Sequence, residues 1–219
     1  MAVPKVCIDP GHGANDPGTV SGKRMEKTDN LALGLELERQ FAAQGWQTVL
    51  TRNDDSRIIL AHRTSLANSE KCDLYLSVHR NGFVSASANG AEIWLHSQAS
   101  ERYKSWAADI LAQLAVLGFA NRGVKLGHVS GSGEYAVNRD TVMPSMLLEL
   151  GFVTNERDNT LFDSKQKQIC TAIVRSSSKF LDYAYNENPN PVQPPEGKTY
   201  TLNVTKLREQ GFSAIEITL

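Results

Sequence analysis

The sequence predicts an α/β fold, a mostly parallel sheet flanked by helices on both faces. Three observations predict it. Apolar runs of strand type alternate with runs whose apolar residues recur at helical spacing. Gly and Pro punctuate the changes, as at Asp9-Pro10-Gly11, Gly45 and Gly118. The 219 residues, 41% hydrophobic and 21% charged, suffice for one ordinary core with a small appendage left over.

Lys5 to Ile8 opens the series as a strand. Leu31, Leu35 and Phe41 mark a helix, with Thr28 and Asp29 as its caps and Gly45 as its stop. Trp46 to Thr51 is a strand. Leu60, Arg63, Leu66 and Ala67 fit a second helix, opened by Asp55 or Ser56. Asp73 to Val78 and Ala91 to Leu95 are strands. Trp106, Ile110, Leu114 and Leu117 mark a helix that stops at Gly118. Ser145 to Leu150 is the most apolar strand, and Ile169, Ile173 and Phe180 mark a last helix. Strands separated by helices imply parallel pairing.

Residues 1–185 form the main domain on this reading. Residues 186–198, with Pro189, Pro191, Pro194 and Pro195, form a stiff linker. Residues 199–219 read as strand (Tyr200, Leu202, Val204), short helix (Lys206 to Gln210) and strand (Ile215, Ile217, Leu219). This short C-terminal β-α-β appendage cannot enclose a core alone.

Lys and Arg number 23 against 24 Asp and Glu, a net charge of −1, which argues against a broad nucleic-acid surface. Cys7, Cys72 and Cys170 are far apart and read as buried free thiols. Met-Ala-Val-Pro-Lys shows no signal peptide, so synthesis in the cytoplasm is expected, or else a leader has already been removed. No apolar run approaches the roughly 20 residues that span a bilayer, so no membrane insertion is expected.

Most standard motifs fail. Gly11-His12-Gly13 starts like a dinucleotide loop, but Asp16 stands where the last Gly belongs. There is no Walker lysine, no HExxH pair and no GxSxG elbow. What remains is positional. His12, His79 and Glu149 stand at the carboxyl ends of strands, where open α/β sheets bind ligands. Two imidazoles and a carboxylate are a zinc-type set. Glycines on both sides of His12 point to close approach of backbone and ligand. Glu149, among Met146, Leu147, Leu148 and Leu150, is costly to bury without a partner. Its plain alternative is a salt bridge to Arg63 or Arg139. Glu26 lies in the loop that can fold back over the same strand end; taken alone it reads as one charge of a solvated loop.

The chain carries Ile8-Asp9-Pro10-Gly11-His12-Gly13, Glu26-Lys27, Leu50-Thr51-Arg52, and Leu60 with Arg63 and Ala67-Asn68. It also carries Ser77-Val78-His79-Arg80-Asn81, Arg122-Gly123-Val124-Lys125 and Leu148-Glu149-Leu150-Gly151-Phe152-Val153-Thr154-Asn155. In this order they resemble the zinc-dependent N-acetylmuramoyl-L-alanine amidases of the amidase-3 family. The resemblance covers about residues 3 to 185. It implies a twisted six-stranded sheet, a Zn2+ ion held by His12, Glu26 and His79, and Glu149 as the catalytic glutamate. It implies bacterial peptidoglycan as substrate, cut between N-acetylmuramic acid and L-alanine. Arg63 would orient a site carboxylate or else bridge two helices, and Asn81 and Lys125 would contact the peptide. Arg80 stands where the family usually has a small residue, and is expected to alter the substrate groove.

Two other readings are weighed: a zinc carboxypeptidase or other wall peptidase on a similar sheet, and a wall-binding module without turnover. The expected role is that of an endolysin released by a holin or by lysis, a spore amidase or a cell-wall autolysin. Residues 199–219 resemble half of a small sporulation-related peptidoglycan-binding domain. Two chains could pair their halves as a homodimer, or the half could dock on its own domain.

Overall fold

The structure, a computed structural model, describes residues 2–189. Most of the linker, the 199–219 unit and the dimer expected through it lie outside the described residues. Asn186 still exchanges hydrogen bonds with Gln44, and Glu187 pairs with Arg175.

Six strands form one sheet in the order β4-β1-β5-β8-β6-β7. In chain order they are β1 (Lys5–Pro10), β4 (Gln47–Leu50), β5 (Leu74–Asn81), β6 (Ala91–Leu95), β7 (Asn121–Leu126) and β8 (Ser145–Phe152). A two-stranded hairpin, β2 (Val20–Ser21) and β3 (Arg24–Met25), stands apart. The helices are α1 (Glu26–Ala43), α2 (Leu60–Ser69), α3 (Glu101–Val116), α4 (Ala136–Arg139) and α5 (Glu156–Phe180). The strands and long helices expected within residues 1–185 are all present.

Alternation along each strand divides the core in two. Val6, Ile8, Leu74, Leu76, Leu148 and Ile93 pack with residues of α1, α3 and α5. Cys7, Tyr75 and Leu147 face the other way, towards Ala67 of α2 and Val137 of α4. Helices thus cover both faces. Cys7, Cys72 and Cys170 are free and buried.

The sheet is mostly parallel, but β6 runs antiparallel to β8. A parallel pair needs a crossover of a dozen or more residues. No helix lies between β5 and β6, so the chain returns in the opposite direction. The long α3 then lets β7 lie parallel to β6.

Neither side-chain cap expected from the sequence forms. Thr28 and Asp29 lie inside α1, whose N-cap is the extended Met25. The first N–H groups of α1 donate instead to main-chain carbonyls, Glu26 N to Thr19 O and Lys27 N to Pro17 O. The N-cap of α2 is Ile59, not Asp55 or Ser56. Ser56 N–H donates to Asp54 Oδ1 at 3.0 Å in a local turn, and Asp55 accepts from Ala14 N–H and Lys27 Nζ.

Candidate metal centre and catalytic groove

Chain order sets the place of the site. From β1 the chain passes through α1 to β4 on one side, then back through α2 to β5 on the other. Beyond the carboxyl ends of β1 and β5 a crevice therefore opens between diverging connections. His12 follows β1 there, and His79 sits near the end of β5. Glu149 of β8 is directly opposite His79 in the parallel ladder, and Glu92 of β6 is opposite Glu149.

Glu26 is not a charge in a solvated loop. It is the first residue of α1 and is only 3% exposed. Its Oε1 lies 3.1 Å from His12 Nε2 and 2.9 Å from His79 Nδ1. Arg80 N–H and Asn30 Nδ2 donate to the same oxygen, and Thr19 N–H donates to Oε2 at 2.9 Å. The two imidazole rings meet edge to face, 4.9 Å between centroids. One ligand atom from each of His12, Glu26 and His79 lies within 4.8 Å of the others.

Two glycines make this cluster possible. A β-carbon on residue 11 would stand 2.1 Å from His79 Cε1. One on residue 18 would stand 2.5 Å from Glu26 Oε2 and 2.7 Å from His12 Cδ2. His12 itself adopts a left-handed φ of 63°, a region that residues other than Gly enter uncommonly and at a cost in strain.

Two buried arginines hold that loop. Arg52 donates to the carbonyls of Pro10, Gly11, Lys27 and Asp54. Burial, with Arg63 close by, brings its pKa down to about 10. Arg63 donates to the carbonyls of Pro10, His12 and Ile58 and pairs with Asp9 at 2.6 Å. Asp9 also accepts from Thr51 and Ser77. Arg63 therefore joins α2 to β1 and touches the main chain of His12 rather than a clustered carboxylate. Arg63→Met is expected to destabilise the fold by about 3–5 kcal/mol, because Asp9 is left buried and unpaired. Chemical denaturation checks this, and a loss below about 1 kcal/mol would make the pair dispensable.

The electrostatics suit a cation. Burial disfavours protonation of His12, but the Glu26 and Asp16 carboxylates outweigh it and raise the pKa to about 9. Burial likewise opposes a charged His79, and Glu26 again reverses the sign. Burial works against the Glu26 anion too, yet the two imidazoles hold its carboxyl far below the usual range. Asp16 Oδ2 engages His12 Nδ1 at 2.9 Å, leaving Nε2 for the centre. Such a carboxylate behind a ligand imidazole fixes its orientation and basicity.

Glu149 is different. Its Oε2 is buried and has no hydrogen-bond partner. Neither arginine weighed as its partner reaches it: Arg63 pairs with Asp9, and Arg139 with Asp140. Burial raises its pKa to about 7; the nearby imidazoles oppose this, and Glu26 and Glu92 reinforce it. Asn81 Nδ2 donates to Glu92, which also accepts from Trp94 Nε1 and Arg122 Nε. Lys125 is opposite Trp94 on β7, beyond the Glu149 strand and outside the cluster. Sequence reading gave no site role to Asp16, Asp9 or Arg52, and took Asp29 only as a helix cap. An Asp four residues after a histidine, and one ending an apolar strand, were the available signals.

Arg80 corrects an expectation. It does not line the groove. Its side chain is fully buried, packed over the Phe162 ring and paired with Asp29 of α1.

Three side chains that could hold a metal ion thus lie beside a carboxylate whose buried Oε2 has no partner, the kind of grouping from which hydrolytic sites are built. Comparison with known proteins agrees. The amidase-3 profile, N-acetylmuramoyl-L-alanine amidase, matches residues 6–177. The uncharacterized protein YqiI of Bacillus subtilis is 35% identical over 181 residues, 81% of this chain and 84% of that protein. N-acetylmuramoyl-L-alanine amidase LytC of Bacillus subtilis is 36% identical over 156 residues, 70% of this chain but only 30% of LytC. The solved catalytic domain of CwlV, an N-acetylmuramoyl-L-alanine amidase from Bacillus (Paenibacillus) polymyxa var. colistinus, superposes with a TM-score of 0.74 at 32% identity. That match covers 83% of this chain and all of that domain, 100%. The chain belongs to the amidase-3 family of cell-wall amide hydrolases. No helix among the described residues is long and apolar enough to cross a membrane.

Proposed function

We propose that this chain is a zinc-dependent amidase that cuts peptidoglycan between the lactyl group of N-acetylmuramic acid and L-alanine of the stem peptide. The residues fit the metal. Two imidazoles and one carboxylate are a zinc-type donor set that leaves a coordination position open, and the cluster is charged to attract a cation. His12, Glu26 and His79 would hold it. A zinc ion in such a site lowers the pKa of a water from about 15.7 to about 7 and polarises a carbonyl oxygen.

The chain's own part falls to Glu149, and its unpartnered buried Oε2 is the observation that carries the reading. Glu149 accepts the proton of the attacking water. As the C–N bond breaks it passes that proton to the leaving nitrogen of L-alanine. Arg52 and Arg63 keep His12 in its strained conformation, and Asp16 orients its ring. The wall of a bacterium, outside the cytoplasm, is the proposed place of action, and an endolysin or autolysin the proposed role. The LytC name supports the wall substrate.

A digest of purified peptidoglycan read by mass spectrometry tests the reaction. New L-alanine amino termini on intact glycan strands, abolished by a chelator and restored by zinc, are expected. Cleavage elsewhere in the peptide would replace the substrate assignment.

The pH profile tests the base. Glu149 must be ionised to accept a proton, so turnover falls as pH drops through its pKa of about 7. A dication close by favours the anion and moves that limb lower. The acid limb of kcat is therefore expected at or somewhat below about 7, with a slope of one proton. An optimum in the acid range, with loss above neutrality, would remove Glu149 as the base.

A further inference from the structure

Arg80 stands where β5 and β8 fall out of step. His79 is opposite Glu149, but Asn81 is opposite Phe152. One residue of β5 thus faces two on β8, Leu150 and Gly151. Such a bulge disrupts the ladder, and buried carbonyls left over need other donors. The Arg80 guanidinium provides them, Nε to Leu150 O at 3.0 Å and Nη2 to Phe152 O at 3.4 Å. Its Nη1 pairs with Asp29 Oδ2 at 2.5 Å, and its main-chain N–H donates to Glu26 Oε1 at 3.1 Å. Asp29 lies one turn after Glu26 on α1 and also pairs with Arg24, which reaches Asp163 of α5.

We propose that Arg80 is a positioning residue: its guanidinium fixes how far Glu149 stands from the His12, Glu26 and His79 cluster. It joins β8 just past Glu149, β5 just past His79, and the turn of α1 that begins with Glu26. The inference rests on Glu149 being the proton acceptor. Lysine can keep the charge pair with Asp29 but lacks the planar fork that bridges two carbonyls. Removing one partner of a buried ion pair lowers stability, so a role in packing alone predicts a lower melting temperature with turnover intact. A positioning role predicts lost turnover even where lysine restores stability.

Arg80→Lys and Arg80→Met in the full zinc-loaded chain test this. Arg24 still pairs with Asp29 in both, which leaves that carboxylate a counter-ion; should the Met variant not fold, the Lys variant carries the test. Zinc affinity by chelator competition and KM are expected within about threefold of the parent. Turnover per zinc-loaded molecule is expected to fall by about thirtyfold or more, since a displacement of about 1 Å at a reacting group costs up to about 10²-fold. Arg80→Lys is expected to recover the melting temperature without recovering kcat. A kcat within about threefold of the parent in both variants, with only the melting temperature lowered, overturns the proposal. So does loss of zinc in step with activity. If the parent chain cuts no wall, the Glu149 reading fails, and crystal structures decide the rest. A Glu149 carboxylate moved by about 1 Å or more relative to His79 supports the positioning role, and an unmoved one overturns it.

Discussion

Glu149→Gln is expected to retain one metal ion and to lose about 10³-fold or more in kcat. General acid–base catalysis contributes about 10² to 10⁴. The amide has the shape of the carboxylate but cannot accept the water's proton, so the whole of that factor is exposed. The same substitution removes a buried charge whose Oε2 has no partner. Stability should therefore hold or rise, because an unpaired buried charge is costly. The combination is diagnostic. A melting temperature unchanged or higher, zinc still bound and turnover gone identify a residue kept for chemistry at the expense of the fold. Loss of zinc in the variant would instead make Glu149 a ligand, and near-normal turnover would give the proton to another group.

The four site residues were not equally visible in the sequence. His79 and Glu149 stood out because each ends an apolar run, and the parallel ladder puts them side by side. His12 stood out through its flanking glycines, though the residue that needs Gly11 to be small is His79. Glu26 had no signal of its own. It is placed by a hairpin and by main-chain caps from Pro17 and Thr19, which leave no trace in side-chain identity. The misplaced caps at Thr28 and Asp55 have the same origin. Asp29 and Asp55 are N-terminal-type residues spent on Arg24, Arg80 and Lys27 instead. β7 lacks a strand pattern because it is a polar edge strand interrupted by Gly123. The antiparallel β6 was legible in principle, since nothing helical separates Asn81 from Ala91.

The fold and the chemistry meet at the reversal after β1. α1 and α2 pack on opposite faces of the sheet, and the loop after β1 curls back over its own strand end, held by Lys27 and Asn30 of α1 and Arg63 of α2. That loop must then hold His12 at φ 63° with no regular ladder to support it. Arg52 and Arg63 replace the ladder, each bonding several loop carbonyls. The buried cations of this protein thus do for an irregular backbone what strands do for a regular one.

Removal of a ligand should have an effect as large as removal of the base, but by another route. His79→Ala is expected to bring bound zinc from one per chain to near none at micromolar metal, and activity to fall with it. Excess zinc would restore little, because two remaining donors make a weak site. The pH dependence of metal binding gives an independent sign. Without metal, His12 gains its proton in the folded state more readily than its ordinary value of 6.5, up to about 9. Its contribution to stability is full below about 6.5 and is lost as pH rises through about 9. Metal must displace that proton, so affinity falls as pH falls. The rise in melting temperature on adding zinc is therefore expected to be larger at pH 8 than at pH 6, and to vanish in His79→Ala at both. A zinc-induced rise that is the same at both values, or that persists in the variant, would move the metal away from His12, Glu26 and His79.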